Sequence, residues 1–192
     1  MKYQSTCRRW WLQPVAMMLL VIVNPLFGAE ESPQIAPVPQ PGLELALTVV
    51  AEIDAPISMG RTPYGERRVI TITGGHFEGQ GIRGTIMPGG EDWQVDRPDG
   101  VTVFDARYWL KTDDGVIIKV VNRCIAALPA EELQKAARGE SVDRSKAYLR
   151  TNPEFEAPIG RYDWLNKAIF IGTLTGGPGP GPSVVLRFYK VI

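Results

Sequence analysis

Histidine and cysteine are almost missing from this sequence. It holds one histidine, His76, and two cysteines, Cys7 and Cys124, in 192 residues. Zinc and its relatives are held by sets of His, Cys and carboxylate ligands at short spacings. No H-x-x-x-H and no C-x-x-C occurs, so no metal site is expected. A Ser-His-Asp triad would have to use His76, yet no G-x-S-x-G accompanies it. His76 falls in the glycine-rich stretch GGHFEGQG (74–81) and reads as a loop residue. A surplus of positive charge is lacking too: 21 Lys and Arg balance 21 Asp and Glu, scattered rather than in blocks. Nucleic-acid binding needs clustered Lys and Arg to neutralise phosphates, so no nucleic-acid partner is expected. No repeat of 20–50 residues is present.

A long apolar run occurs only near the N-terminus. Lys2, Arg8 and Arg9 give a basic start, an apolar run from Trp10 to Phe27 follows, and Gly28-Ala29 precedes Glu30-Glu31. That is the three-part form of a secretory signal peptide. Residues 1–29 are therefore expected to be removed, with the cut near Ala29 and Phe27 standing where a small residue is usual. An uncleaved membrane anchor is the alternative, but Gln13, Pro14, Asn24 and Pro25 make the run a weak permanent span. No cysteine closes the run, so a lipid anchor is not indicated. The expected location is secreted or periplasmic. Removing three bases and no acid leaves a net charge of about −3. Cys7 leaves with the signal, so Cys124 has no internal disulfide partner and is expected buried at the end of an apolar strand.

Residues 30–42, EESPQIAPVPQPG, read as a proline-rich tether, and 43–192 as a single domain. What fills that domain is short strands. LELALTVVAEI (43–53) alternates, with Leu43, Leu45, Leu47, Val49, Ala51 and Ile53 on one face. VITIT (69–73), IRGTIM (82–87), DWQV, VTVFDARYWLK and VIIKVVNRC follow, the last three joined by the Asp-Gly turns at Asp99-Gly100 and Asp114-Gly115. SKAYLRTN (145–152) and FEAP (155–158) read as strand fragments, WLNKAIFIGTL and VVLRFYKV as the last two strands. The loop between those two, 175–183, is rich in Gly and Pro. One helix is predicted over 128–140, with Pro129 at its start, acids in its first turn and Gly139 as its stop. Its apolar face is thin, so it reads as an insertion over one end of the sheet. About nine or ten antiparallel strands with one short inserted helix predict an all-β fold, a barrel or a sandwich.

Gly79-Gln80-Gly81-Ile82-Arg83-Gly84 fits G-x-G-x-x-G, but a dinucleotide site needs a helix next, and TIMPGG is a strand and a turn. No cofactor is implied. Asp105, Arg107 and Trp109 share one face of a strand, and Phe104, Ala106, Tyr108 and Leu110 the other. Neighbours two apart lie about 6.8 Å from one another along a strand, so Asp105 and Arg107 can bracket a small polar ligand. The plainer reading makes the Phe104 face core and the Asp105 face solvent.

MGRTPYGERRVI, ITGGHFEGQGIRGTIMPGGEDWQ, RPDG, DARYWLKTDDG, YLRTNPEFE, YDWLN and RFYKV, in this order, resemble domain-of-unknown-function family 3237, also called uncharacterised protein family 0311. The resemblance covers about 43–192. It implies a small antiparallel β-barrel and no settled activity. Many matching positions are glycines or belong to Asp-Gly turns, where turn geometry alone is a sufficient reason. The remaining matches, Asp92, Trp93, Asp105, Arg107, Tyr108, Arg150, Glu156, Tyr162 and Trp164, point to a shared polar pocket. His76, the helix and the Pro-Gly loop depart from the family pattern, as does the secretory signal.

Three readings follow. In the first, a barrel pocket binds a small, partly apolar molecule with an anionic or carbonyl group. Arg107 and Arg150 pair with the anion, Trp93, Tyr108 and Trp164 form walls, and Asp105 and Tyr162 complete the set. In the second, a cofactor-free lyase, isomerase or hydrolase uses Asp92, Asp105 or Glu156 as general acid or base, with Tyr108 or an arginine steadying an oxyanion. It expects a carboxyl whose pKa is raised by burial. In the third, the protein is a structural or interaction module with a filled barrel and an exposed apolar patch.

Overall fold

Alternating β-branched and aromatic residues build ten strands in the computed structural model, which describes residues 38–178 and 181–192. The expectation for 1–29 lies outside the described residues, and that for 30–42 lies largely outside them. The strands are β1 (Leu43–Ile53), β2 (Ile57–Thr62), β3 (Gly65–Gly79), β4 (Ile82–Ile86), β5 (Gly90–Asp96), β6 (Val101–Thr112), β7 (Ile117–Ala127), β8 (Tyr148–Glu156), β9 (Phe170–Gly176) and β10 (Ser183–Val191). One sheet runs β1-β10-β9-β8-β7-β6, passes to β3 through β4 and β5, and closes where β3 pairs with β1. β4 and β5 lie end to end, β4 against Leu110–Thr112 of β6 and β5 against Thr102–Arg107. β2 extends the far part of β3. The result is a closed antiparallel eight-strand barrel with two extra strands and one short helix. Leu47, Val49, Phe77, Leu110, Ile118, Val120, Phe170 and Phe188 fill its interior and are wholly buried. Burying each such side chain favours the fold by about 1.5–3 kcal/mol.

Several stretches differ from their sequence signals. Of WLNKAIFIGTL, residues 164–167 belong to a 3-10 turn (Asp163–Lys167), and the strand begins only at Phe170. GGHFEGQG is no simple turn, because Gly74 to Gly79 continue β3. A Cβ on Gly75, whose φ is +127°, would lie 2.0 Å from the Val50 carbonyl oxygen, and one on Gly79 would lie 2.0 Å from that of Ala46. Glycine serves close approach of β3 to β1 at the closure of the barrel, rather than chain reversal. His76 is accordingly an exposed strand residue. Of the fragments 145–152 and 155–158, residues 148–152 and 155–156 merge into β8, which runs through the buried Pro153, while 145–146 lie in a 3-10 turn (Arg144–Lys146). β8 meets β9 at a single residue pair, Thr151 with Gly172, and the Asn152 side chain adds a hydrogen bond to the Phe170 carbonyl (3.0 Å).

The helix is α1 (Ala130–Ala137), and Leu133 packs on the β5–β6 turn at Gly100. Its thin apolar face has a cause. The side chain it buries is Glu132, which accepts from Lys135 Nζ (2.9 Å), Lys146 Nζ (3.1 Å) and the Asp143 N–H (2.9 Å). Lys135 first, then the Asp143 N–H, holds the Glu132 carboxyl down at about 2. At the opposite end, residues 157–169 plug the barrel. There Asn166 bonds both backbone groups of Ala157 at 2.8 Å, and Leu165 is buried. One end is therefore plugged, and the other is left to the site.

Candidate functional site

The strand register decides which residues meet inside the unplugged end. Ile70 pairs with Asp92, Asp92 with Ala106, and Ala106 with Asn122, giving one inward row across β3, β5, β6 and β7. Ala106 has only a methyl group, so a gap opens between Asp92 and Asn122. One step deeper Tyr108 pairs with Val120, and Gly90 makes room beside it, since a Cβ there would sit 2.6 Å from Tyr108 Cβ. One step outward Gln94 pairs with Phe104 and Phe104 with Cys124. These rows surround a cavity of about 120 Å³, walled otherwise by Ile53, Ile72, Leu174, Val184 and Leu186. That is slightly smaller than the roughly 150 Å³ apolar cavity that admits benzene.

Among the described residues, four buried side-chain polar atoms have no hydrogen-bond partner: Asp92 Oδ1, Tyr108 OH, Asn122 Oδ1 and Thr151 Oγ1. The first three belong to residues lining this cavity. Leaving a buried polar group unpaired costs about 1–3 kcal/mol, so three around one cavity need a reason. The other Asp92 oxygen is held. Gln94 Nε2 donates to Asp92 Oδ2 (2.6 Å), while Gln94 Oε1 accepts from Arg68 Nε (2.7 Å). Arg68 is itself anchored on Asp96 (2.5 Å), which also accepts from Thr102 Oγ1 (2.6 Å). This chain fixes the carboxyl plane and leaves Oδ1 without a hydrogen bond, while the Asp105 backbone N–H beside the carboxylate acts to lower its pKa.

Burial raises the Asp92 pKa above the ordinary carboxylate value, an effect that the Gln94 hydrogen bond and the Arg68 charge only partly offset. Burial, and then the Asp92 charge, raises that of the Tyr108 hydroxyl. The same two causes push the Cys124 thiol up to about 12. Near neutral pH, Tyr108 is thus a hydrogen-bond donor, and Cys124 is a thiol rather than a nucleophilic thiolate.

The residues predicted from sequence fall into three places. Asp92 and Tyr108 share the cavity. Trp93, Asp105 and Arg107 sit together on the outer face of the same strands, where with Arg67, Glu91, Val95 and Val103 they line an open groove of about 520 Å³. There Arg107 bonds Asp105 (3.2 Å) and Trp93 Nε1 donates to Glu91 (2.9 Å). The others are dispersed. Arg150 is exposed, bonds the Leu149 carbonyl (2.7 Å) and lies 5.4 Å from the Tyr148 ring. Glu156 is exposed and paired with Lys119 (2.8 Å), which lowers its pKa. Tyr162 donates to Asp114 (2.9 Å) and Trp164 packs on Phe170 (6.1 Å), both at the plugged end. Sequence reasoning missed Gln94, Ala106 and Asn122. The signal for Asn122 was available: it breaks an inward alternation of Ile118, Val120 and Cys124.

Among the described residues no group of three His, Cys, Asp or Glu side chains is placed to hold a metal ion. No helix among them is long and apolar enough to cross a membrane.

Comparison with known proteins agrees with this architecture. The family described as "Protein of unknown function (DUF3237)" matches residues 41–191. A UPF0311 protein of Rhodopseudomonas palustris is 40% identical over 126 residues, covering 66% of this chain and 82% of that protein. A β-barrel-like protein of Acinetobacter baumannii, known from a crystal structure, superposes with a TM-score of 0.70 at 31% identity, over 82% of this chain and all of that one. A crystal structure of an enzyme from Penicillium herquei superposes with a TM-score of 0.59 at 21% identity, again over 82% of this chain and all of that one, and shows a shared fold.

Proposed function

The chain belongs to the DUF3237 family of proteins of unknown function, and we propose that it is a cofactor-free enzyme acting on a small, mostly apolar molecule by proton transfer. Asp92 is its general acid or base, and Tyr108 and Asn122 hold the substrate's polar atoms. One observation carries this reading: the buried Asp92 Oδ1, Tyr108 OH and Asn122 Oδ1 have no hydrogen-bond partner among the described residues and belong to residues around one cavity. Buried carboxyls with raised pKa values are arranged where proton-transfer chemistry needs them.

The binding barrel is the second reading. Its apolar walls favour it, but the arginines assigned to an anionic ligand lie elsewhere, Arg107 on the outer groove and Arg150 on the surface. A binding barrel here takes a neutral ligand. The two readings separate on the titration of Asp92. Carbon-detected NMR of the aspartate carboxyls, with Asp92→Asn to assign the signal, is expected to show one carboxyl titrating above the ordinary value of about 3.9. If every carboxyl titrates at or below that value, the acid–base reading fails.

The same proposal extends to export: residues 1–29 act as a signal peptide cut near Ala29, 30–42 tether the barrel of 43–192, and the mature protein is secreted or periplasmic. The basic start and the apolar run support this. The intact mass of the exported protein tests it, with the mature chain expected to begin at or near Glu30.

A further inference from the structure

Resting on that reading of the site, we propose that the substrate is an uncharged ketone or related carbonyl compound with a hydrogen on the carbon beside the carbonyl, and that the reaction moves that proton. The charge of the lining excludes the alternatives. Its polar side chains are Asp92, Gln94, Tyr108, Asn122 and Cys124, with no Lys or Arg. The guanidinium behind Gln94, Arg68, is committed to Gln94 and Asp96. A carboxylate or phosphate would enter beside Asp92 with no counter-charge, in apolar surroundings where unpaired charge is very costly. A primary ammonium meets one acid, at the expense of desolvating both partners among Ile53, Ile70, Ile72 and Leu174.

A carbonyl compound fits the unpartnered atoms. Its oxygen accepts from the Tyr108 hydroxyl. Asp92 Oδ1, ionised, takes the proton from the adjacent carbon. The C–H electron pair becomes the C=C bond of an enolate, and the carbonyl π pair moves to the oxygen, where the Tyr108 O–H steadies the charge. Asn122 Oδ1 exchanges no proton in this step and is left to accept from a donor elsewhere on the substrate. Asp92 then returns its proton to the same carbon or to one conjugated with it. The net change is exchange or isomerisation, and atoms and electrons balance without a second reactant.

Cyclopentanone is small enough to probe the cavity, and its neighbours cyclopentanecarboxylate and cyclopentylamine test the other charges. In deuterium oxide near neutral pH, loss of the α-proton signal of cyclopentanone is followed with the full chain and with Asp92→Asn, Tyr108→Phe and Arg107→Ala. Binding of each probe is followed through shifts of the Tyr108 and Asn122 amide signals. The expected result is exchange above the buffer rate, at least about 100-fold slower in Asp92→Asn and about 10- to 100-fold slower in Tyr108→Phe, with Arg107→Ala unchanged. Saturable shifts with the carboxylate or the amine but not the ketone overturn the carbonyl assignment while leaving an acid–base site. Ketone binding without exchange, or exchange undiminished in Asp92→Asn, overturns the proton-transfer step. No binding by any probe, together with an Asp92 that titrates ordinarily, sinks both this proposal and the reading beneath it.

Discussion

The two faces of β5, β6 and β7 carry similar side chains in opposite circumstances. Outside, Asp105, Arg107 and Trp93 form a groove in which the acid is paired with the base and the indole with Glu91. Inside, Asp92 feels the Arg68 charge only from behind Gln94, and Asp92, Tyr108 and Asn122 each keep an unbonded polar atom. Water accounts for the difference. A surface ion pair is solvated and contributes about 0–1 kcal/mol, whereas a buried polar atom left without a partner is expensive and persists where something else repays it. Acid, base and aromatic gathered in one motif, the pattern that draws attention in sequence, here mark the face that solvent already satisfies.

Neighbours on β6 should divide most sharply. Tyr108 is 3% exposed and Trp109 is 44% exposed. Tyr108→Ala is expected to destabilise by about 3–5 kcal/mol, the range for emptying a large core position, and Trp109→Ala by about 1 kcal/mol or less. Urea unfolding of both variants gives the two values, and near-equal losses would erase the distinction between the faces.

Two buried tyrosines sharpen the comparison by sign. Tyr162 donates to Asp114, so Tyr162→Phe should lose about 1–2 kcal/mol. The Tyr108 hydroxyl has no hydrogen-bond partner among the described residues, so Tyr108→Phe should be neutral or gain up to about 1 kcal/mol while slowing the proposed proton transfer. A drop in stability in both variants would make Tyr108 an ordinary structural residue.

The two buried acids should respond to pH in opposite directions. Asp92 binds its proton more tightly in the folded state than in the unfolded chain. Its contribution therefore turns unfavourable as pH rises above the ordinary carboxylate value, and Asp92→Asn should gain on the wild type over that range. Glu132 has the reverse shift, to about 2 from 4.5. It contributes stability above pH 4.5 that is lost as pH falls towards 2, so Glu132→Gln should be weaker at neutral pH and converge on the wild type in acid. Melting curves from pH 2 to 8 read both slopes.

How much of this was legible beforehand differs between fold and site. The apolar run 43–53 and the two Asp-Gly turns suffice for antiparallel strands, because those signals are local, although a register shift between Leu45 and Leu47 leaves Leu43 and Leu45 exposed rather than on the face of Leu47, Val49 and Ala51. GGHFEGQG misleads because turn and close approach favour the same residue, and only the Val50 and Ala46 carbonyls across the barrel distinguish them. β8 is hidden by Pro153, which composition reads as a break. The site is harder still. The β6 pattern alone puts Phe104, Ala106, Tyr108 and Leu110 inward and Asp105 and Arg107 outward, as the structure has them, but Ala106 contributes by lacking a side chain between Asp92 and Asn122, which only the strand register shows. Asn122 was findable as a polar residue in an inward apolar series, whereas Gln94 gains its role only from Arg68 and Asp92 on either side.

The smallest expected effect tests whether the faces are independent. Arg107→Ala should leave stability almost unchanged, and its coupling to Asp105 should fade in about 1 M salt, since an exposed pair is readily screened. Asp105 differs in one respect. Its charge, across the sheet wall, is among the causes that raise the Asp92 pKa. Asp105→Asn should therefore shift the Asp92 titration downwards while scarcely moving the melting temperature. The sign follows from removing a like charge that opposed ionisation. A downward shift on NMR titration would mean that the outer acid tunes the inner one through the barrel wall. No shift would mean that burial alone sets Asp92, and that the charged pair most visible in the sequence has no part in the cavity's chemistry.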